Sequence, residues 1–234
     1  MDFQLTDEQE LLIESAREYA NRYFTDEAVK QAYEVDHHIS LEAAMAFRDL
    51  GFMHLGLPEE VGGIPTDHVT LGLMTEKLYE FTGAMTPFMT GMLACADLAE
   101  FGTPEQSSVI MEEYEKSGQS VAALCLSEPA AGSDNQGMTM TSKKQDDGTY
   151  VLNGQKTWVT NGADVPYLLV ICKDEDPARE NRNMSLWLVK RDTPGVSTAH
   201  LTKLGQHTVP FVDVFFDNVV VTEDQRVGGA GEGW

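Results

Sequence analysis

The sequence has little basic charge and few cysteines, and each shortage excludes a class of protein. Its 234 residues include 16 Lys and Arg against 38 Asp and Glu, a formal net charge of -22. Such a surface repels a phosphate backbone, so nucleic acid is excluded as a partner. The three cysteines are widely spaced and form no CxxC pair. No disulfide framework is therefore expected, and free thiols favour a cytoplasmic location.

Long apolar runs and metal motifs are missing as well. No stretch reaches the roughly 18 apolar residues that a membrane-spanning helix needs, and the opening MDFQLTDEQE has no apolar signal-peptide core. The six histidines show no HExxH or comparable spacing. We therefore predict no membrane span, no secretion by that route and no metal site. The hydrophobic content of 42% is sufficient for a packed core.

The first half of the chain has the 3.6-residue apolar period of helices. In LTDEQELLIESAREYANRYF, Thr6 followed by Gln9 is a capping-box pattern, and the apolar residues after it fall on one face. Gly51 suits the end of the second helix, because glycine tolerates a left-handed C-terminal residue. The second to fifth helices are predicted to start at Ser40, Val69, Pro87 and Thr103. These five helices predict an all-α domain over residues 1–118.

From Gln119 onward the apolar period changes from 3.6 to 2, which is typical of strands. The β-rich runs are SVAALCL, GMTMTSKK, TYVLNGQKTWVT, YLLVICK, MSLWLVK and VDVFFDNVVV. Asn153-Gly154 predicts a type I′ hairpin turn, Asp146-Asp147-Gly148 predicts a second turn, and KDEDPARENRN predicts an exposed connection. We predict an antiparallel β barrel or sandwich over residues 119–228, and so an α+β fold. The Gly-rich residues 229–234 are interpreted as a truncated hinge to a further domain.

The loop LSEPAAGSD, residues 126–134, leaves the first predicted strand. Gly132 permits a close backbone approach, and the Ser127 and Ser133 hydroxyls could hydrogen-bond a phosphate or the edge of a heterocycle. An ordinary β loop is the alternative, because Ser, Pro, Ala, Gly and Asp are all common in turns. Composition alone does not choose between them.

A second candidate is NGQKTWVTNG, residues 153–162. Trp158 and Thr160 are two positions apart on a predicted strand, so their side chains should share a face. An indole beside a hydroxyl suits a flat aromatic cofactor. The alternative is a half-buried Trp that closes one end of the barrel.

Taken together, these motifs resemble the acyl-CoA dehydrogenases. The resemblance covers essentially the whole chain and rests on LSEPAAGSD, NGQKTWVTNG, KLGQHTVPFVDVFFDNVVV and the closing GEGW, with GLPEEVGG as a fifth family-like loop. PYLLVICKDEDP and DTPGV are faintly similar to the bacterial crotonobetainyl-CoA reductase branch. The C-terminal helical bundle of the acyl-CoA dehydrogenases has no counterpart in residues 1–234.

The resemblance implies an FAD-dependent oxidoreductase of fatty acid metabolism that α,β-dehydrogenates an acyl-CoA thioester. It implies that Ser133 also contacts the substrate and that Thr160 lies near the flavin N5. It implies no catalytic residue within this chain, because the family's glutamate base lies in the helical domain that follows. The implied cofactor-binding residues are Leu124, Leu126, Ser127, Gly132, Ser133, Trp158, Val159 and Thr160.

Two alternatives to a truncated dehydrogenase stay open from the sequence. The chain could be a short subunit completed by a partner chain, or a flavin or acyl-CoA binding module without catalysis. The resemblance also implies a homo-oligomer, or a hetero-oligomer with such a completing chain. It further implies an electron-transferring flavoprotein as redox partner.

Overall fold

The computed structural model describes residues 4–83, 88–175 and 183–233. The first half of the described chain is helical, as predicted. A π-helical turn, Ala32–Asp36, follows the second helix. The helices are α1 (Asp7–Tyr23), α2 (Asp26–Gln31), α3 (Leu41–Asp49), α4 (His68–Thr82), α5 (Phe88–Phe101) and α6 (Pro104–Ser117).

Local capping sets most helix ends. Thr6 with Gln9 and Thr103 with Gln106 form complete capping boxes at α1 and α6, confirming both predictions. Gly51 follows α3 with φ of 72°, the left-handed conformation predicted for it. Helix α2 was missed, because six residues with no buried side chain carry no apolar period. The predicted start at Pro87 lies outside the described residues.

The second half forms a mostly antiparallel sheet in the order β6-β7-β3-β2-β4-β5-β8, with β1 paired to β4. The pairs β1–β4 and β2–β4 are parallel, and the other pairs are antiparallel. The strands are β1 (Ala122–Cys125), β2 (Thr141–Lys144), β3 (Tyr150–Thr160), β4 (Tyr167–Asp174), β5 (Met184–Lys190), β6 (Val196–His200), β7 (Phe211–Val221) and β8 (Arg226–Val227). The predicted connection KDEDPARENRN falls largely outside the described residues.

The hairpin turn predicted at Asn153-Gly154 is wrong. Strand β3 runs without a break from Tyr150 to Thr160, and its pairing with β7 shifts register between Leu152 and Gly154. Gly154 has φ of 147°, and a Cβ there would lie 2.7 Å from the Met140 Cβ. The glycine therefore serves a β-bulge that lets β2 approach β3 closely. The turn predicted at Asp146 to Gly148 is confirmed, since Gln145 and Thr149 close it with a 2.8 Å hydrogen bond.

Two hydrophobic clusters meet at strands β4 and β5. One cluster joins the helices to Leu169, Ile171 and Leu188, and the other fills the β domain around Trp187 and Val170. Both faces of these strands are thus buried, which explains their nearly continuous apolar sequences. Among the described helices, none combines the length and apolar character needed to cross a membrane.

The residues after β8 dock on the sheet. Gly231 donates its amide to the Ser185 hydroxyl at 3.2 Å, and Gly233 donates to the Met184 carbonyl oxygen at 2.8 Å. A Cβ on Gly233 would lie 2.5 Å from the Leu186 amide nitrogen. The glycines in this segment therefore allow close backbone packing against β5.

Candidate functional site

An open groove of about 800 Å³ lies on the outer surface of the β domain. One wall is the loop from Ser127 to Gly132, and the other is the end of β3 with one residue of β7. Both sequence motifs therefore contribute to a single site. The β-strand residues that line it are Gln155, Thr157, Trp158 and Asp213.

A backbone hydrogen bond joins the two walls directly. The Thr157 amide donates to the Ser127 carbonyl oxygen at 2.8 Å. On the other side, the Thr157 hydroxyl donates to the Asp213 carboxylate at 2.5 Å, which ties β3 to β7. The spacing between the loop and the strand is therefore fixed by the chain itself.

Trp158 occupies a strained position at the edge of the groove. Lys156 pairs with Val214 and Val159 pairs with Val212, so Thr157 and Trp158 together lie opposite Asp213. This β-bulge gives Trp158 a φ of 57°, which is rare for a bulky residue. Its side chain is 56% exposed and meets the Phe211 ring edge-on, with centroids 6.4 Å apart. An indole face is therefore presented to the solvent beside the groove.

Five of the predicted residues do not line the groove: Leu124, Leu126, Ser133, Val159 and Thr160. Gly132 lines the groove, a Cβ there would meet no atom within 4 Å, and Ser133 next to it is exposed. Leu124 and Leu126 are partly buried against the shared helical core, and Thr160 is half-buried. The side chain of Val159 is 1% exposed and packs inside the β domain. Val159 could reach a ligand at the groove only through its backbone.

Beneath the groove lies a buried ion pair that the sequence analysis missed. The Lys156 Nζ donates to the Glu128 Oε1 at 3.0 Å and to the Leu126 carbonyl oxygen at 2.9 Å. The side chains of Lys156 and Glu128 are 0% and 3% exposed. One signal was available, because strand alternation places Lys156 on the inward face of β3, where a charge needs a partner.

Both oxygens of Glu128 are occupied. Oε1 also accepts the Met140 amide at 3.0 Å, and Oε2 accepts the Thr139 amide at 2.6 Å and its hydroxyl at 2.9 Å. Burial alone would raise the pKa of Glu128, but the bonds from Thr139 and the ion pair with Lys156 outweigh it and lower the pKa. The carboxylate stays ionised and has no free position for a substrate proton.

The groove offers groups that suit a planar nucleotide cofactor. An exposed indole offers stacking area, and the hydroxyls of Ser127 and Thr157 offer polar contacts at the walls. Gly132 and Ser133 make no hydrogen bond within the described part of the chain, which leaves their amides available to a phosphate. Among the described residues, no cluster of His, Cys, Asp or Glu suits a metal ion.

Comparison with known proteins identifies the family. The profile of the acyl-CoA dehydrogenase N-terminal domain matches residues 6–114, and that of the acyl-CoA dehydrogenase middle domain matches residues 123–219. The chain therefore belongs to the acyl-CoA dehydrogenase family.

Individual relatives agree in sequence and fold. Probable acyl-CoA dehydrogenase YdiO of Escherichia coli (strain K12) is 36% identical over 234 residues, which are 100% of this chain and 60% of that protein. The structure of glutaryl-coenzyme A dehydrogenase in complex with glutaryl-CoA has a TM-score of 0.87 at 26% identity, covering 100% of this chain and 59% of that one. The FAD complex of PigA has a TM-score of 0.87 at 25% identity, with 100% and 61% covered. The chain thus spans about 60% of the length of these relatives.

Proposed function

We propose that the groove binds FAD and that the chain is the flavin-binding part of an acyl-CoA dehydrogenase, which removes hydrogen from the α and β carbons of an acyl-CoA thioester. The observation that carries the proposal is the single groove to which both sequence motifs contribute. Family membership and the FAD complex of PigA support the choice of ligand.

Each wall of the groove has its own role in this proposal. Trp158 stacks against a planar ring system and the Ser127 hydroxyl hydrogen-bonds its polar edge, while the Thr157 hydroxyl, which donates to Asp213, acts toward the ligand only as an acceptor. Gly132 and Ser133 bind the phosphates through backbone and hydroxyl groups, and Ser133 also contacts the acyl-CoA. Leu124, Leu126, Val159 and Thr160 complete the cofactor site, as the family resemblance implies. The bound FAD supplies the hydride acceptor.

The proton acceptor comes from outside this groove. Glu128 is the acid of the LSEPAAGSD motif that lines the groove, but its oxygens already accept hydrogen bonds from Lys156, Thr139 and Met140. A general base needs a free lone pair within reach of the substrate proton. The groove residues therefore bind and orient, while the base, as the family resemblance implies, is a carboxylate elsewhere in the assembled enzyme. An electron-transferring flavoprotein accepts the electrons in this scheme.

Two spectroscopic steps test the proposal. Purified chain should take up FAD, as visible flavin absorbance that survives gel filtration, and failure to do so would contradict the flavin site. A saturated acyl-CoA thioester added without oxygen should leave that absorbance unchanged in this chain by itself, because the proton acceptor lies elsewhere, and should bleach it in the assembled enzyme. Bleaching of the chain by itself would contradict a base outside the chain, and no bleaching of either form would favour a flavin-binding module over a dehydrogenase.

A further inference from the structure

Lys156 is the largest fully buried charged residue of the described chain, and the proposed chemistry does not use it. A lysine without exposure to water requires compensation for its lost hydration, and methionine would fill the same space without that cost. The position next to the β-bulge of Trp158 suggests what the charge does instead.

The Lys156 ammonium group contacts the groove loop on both sides of Ser127. It binds the carbonyl oxygen of Leu126 at 2.9 Å and the carboxylate of Glu128 at 3.0 Å. The next residue of β3, Thr157, binds the carbonyl oxygen of Ser127 itself at 2.8 Å. Lys156 and Thr157 of β3 thus bind three consecutive loop residues, 126–128.

Glu128 extends this network to a third segment. Its carboxylate accepts the amides of Thr139 and Met140, just before β2. The Glu128 amide and carbonyl also form a reciprocal pair with Ala131, at 2.9 and 3.1 Å, which closes the turn through Pro129. The Glu128 carboxylate therefore anchors, next to β2, a loop whose turn is closed by backbone bonds of the same residue.

The strained bulge requires such support. A bulky residue at positive φ persists only when the surrounding contacts hold it there. Trp158 is 56% exposed, so its own packing contributes little to that restraint. The restraint comes instead from the pairing with β7 on either side of the bulge and from the contacts of Lys156 and Thr157, which lead back to the loop.

From these contacts we infer that Lys156 and Glu128 are a positioning pair, which holds the loop at Ser127 and the bulge at Trp158 at the spacing that FAD requires before the ligand arrives. The inference rests on the proposed flavin site. A preformed groove does not have to be ordered on binding, so it binds its ligand more tightly.

The test separates positioning from stability with two variants. Lys156→Met leaves the Glu128 charge buried and unpaired, so both stability and groove shape should be lost. The double variant Lys156→Met with Glu128→Gln removes that charge, so part of the stability should return, while the contact with Leu126 stays broken and the new side-chain NH2 faces the amide of Thr139 or Met140. Lys173→Met is the matched control, because Lys173 also donates to a backbone carbonyl, that of Gln136 at 2.6 Å, but from an exposed site.

Three quantities are measured for each variant: the urea midpoint, the FAD dissociation constant, and the hydrogen exchange rate of the Thr157 amide without ligand. We expect both Lys156 variants to bind FAD about tenfold or more weakly and to exchange Thr157 at least about tenfold faster, even where the double variant regains stability. The control should match the unmodified chain.

Two outcomes would overturn the inference. One is unchanged FAD affinity and Thr157 exchange in Lys156→Met. The other is recovery of both quantities in step with the urea midpoint in the double variant, which would mean a merely structural role. If the unmodified chain takes up no FAD, the proposed function fails, and the Thr157 exchange rate alone decides whether the pair positions the loop.

Discussion

The Thr157 amide donates a 2.8 Å hydrogen bond to the Ser127 carbonyl oxygen, across 30 residues of sequence. This bond joins the loop after β1 to the bulge in β3, and it makes one groove out of two motifs. Because the spacing is set by backbone and buried groups, side chains exposed at the groove can be changed without disturbing it. Substitutions of exposed groove residues therefore test contacts with the ligand without changing the shape of the groove.

Replacement of Trp158 separates strain from binding. Trp158→Ala and Trp158→Gly both remove the indole, so both should weaken FAD binding by about tenfold, in line with the loss of one aromatic stacking partner. Glycine adopts a φ of 57° without penalty, so Trp158→Gly should be about 1 kcal/mol more stable to unfolding than Trp158→Ala. Urea titrations and FAD titrations measure the two effects. Equal stability of the two variants would show that the bulge is not strained.

The bulge at Gly154 predicts a steric effect. Gly154→Ala places a Cβ 2.7 Å from the Met140 Cβ and should cost about 2–4 kcal/mol of unfolding free energy. Gly148→Ala is the control, because its φ of 89° is also unfavourable for alanine but no atom lies within 4 Å of the added Cβ. The control should lose only about 1 kcal/mol. Similar losses in the two variants would contradict close packing of β2 on β3.

Gln106 has two roles that one substitution can separate. Its Oε1 completes the capping box of α6, while its Nε2 donates to the carbonyl oxygens of Asp224 and Arg226, both at 2.9 Å. Gln106→Glu keeps an acceptor oxygen for the capping box but loses both hydrogen bonds donated by Nε2. A carboxylate oxygen would then lie against the carbonyl oxygens of Asp224 and Arg226. We expect a loss of about 2–3 kcal/mol in thermal or urea unfolding.

The capping box of α1 supplies the control for this prediction. Gln9 donates one hydrogen bond, to the Thr70 hydroxyl at 2.9 Å, which in turn donates to the Asp67 carboxylate, so Gln9→Glu loses one donated bond where Gln106→Glu loses two. Gln9→Glu should therefore cost clearly less than Gln106→Glu. Equal costs would mean that the contact of α6 with the β8 segment contributes nothing to stability.

Glu128 predicts a specific acid response. Its folded pKa lies below the ordinary value of 4.5, so it stabilises the fold fully above about pH 4.5 and loses that contribution as pH falls through the folded pKa. The stability difference between the chain and Glu128→Gln should be constant near neutrality and shrink below about pH 4.5. Urea unfolding at several pH values from 7 to 3 measures it. A stability difference that stays constant down to pH 3 would contradict the buried ion pair. Glu14→Gln, at an exposed site, is the control variant.

The sequence predicted those features that depend on neighbours in the chain. Thr6 with Gln9 and Thr103 with Gln106 are capping signals complete within four residues, and the structure has both. The change of period near Gln119 located the change from helices to strands, because burial on one face imposes that period. The composition of the loop at Ser127 identified a candidate wall of the site.

Local sequence signals do not predict contacts between segments that are far apart in the chain. Asn153-Gly154 has the local signature of a hairpin, but pairing with β7 keeps β3 continuous through it, and tertiary contacts override the turn preference. The bulge at Trp158 depends on its partner Asp213, far along the chain. The partnership of Lys156 with Glu128 spans 28 residues, so no local pattern reveals it.

Hydrogen exchange with and without FAD is the most direct test of the central claim that one groove built from two motifs holds the flavin. The account predicts that FAD slows exchange in residues 126–134 and 156–160 together, with both segments protected at the same ligand concentration. Protection confined to other parts of the chain, or to one of these segments alone, would contradict it.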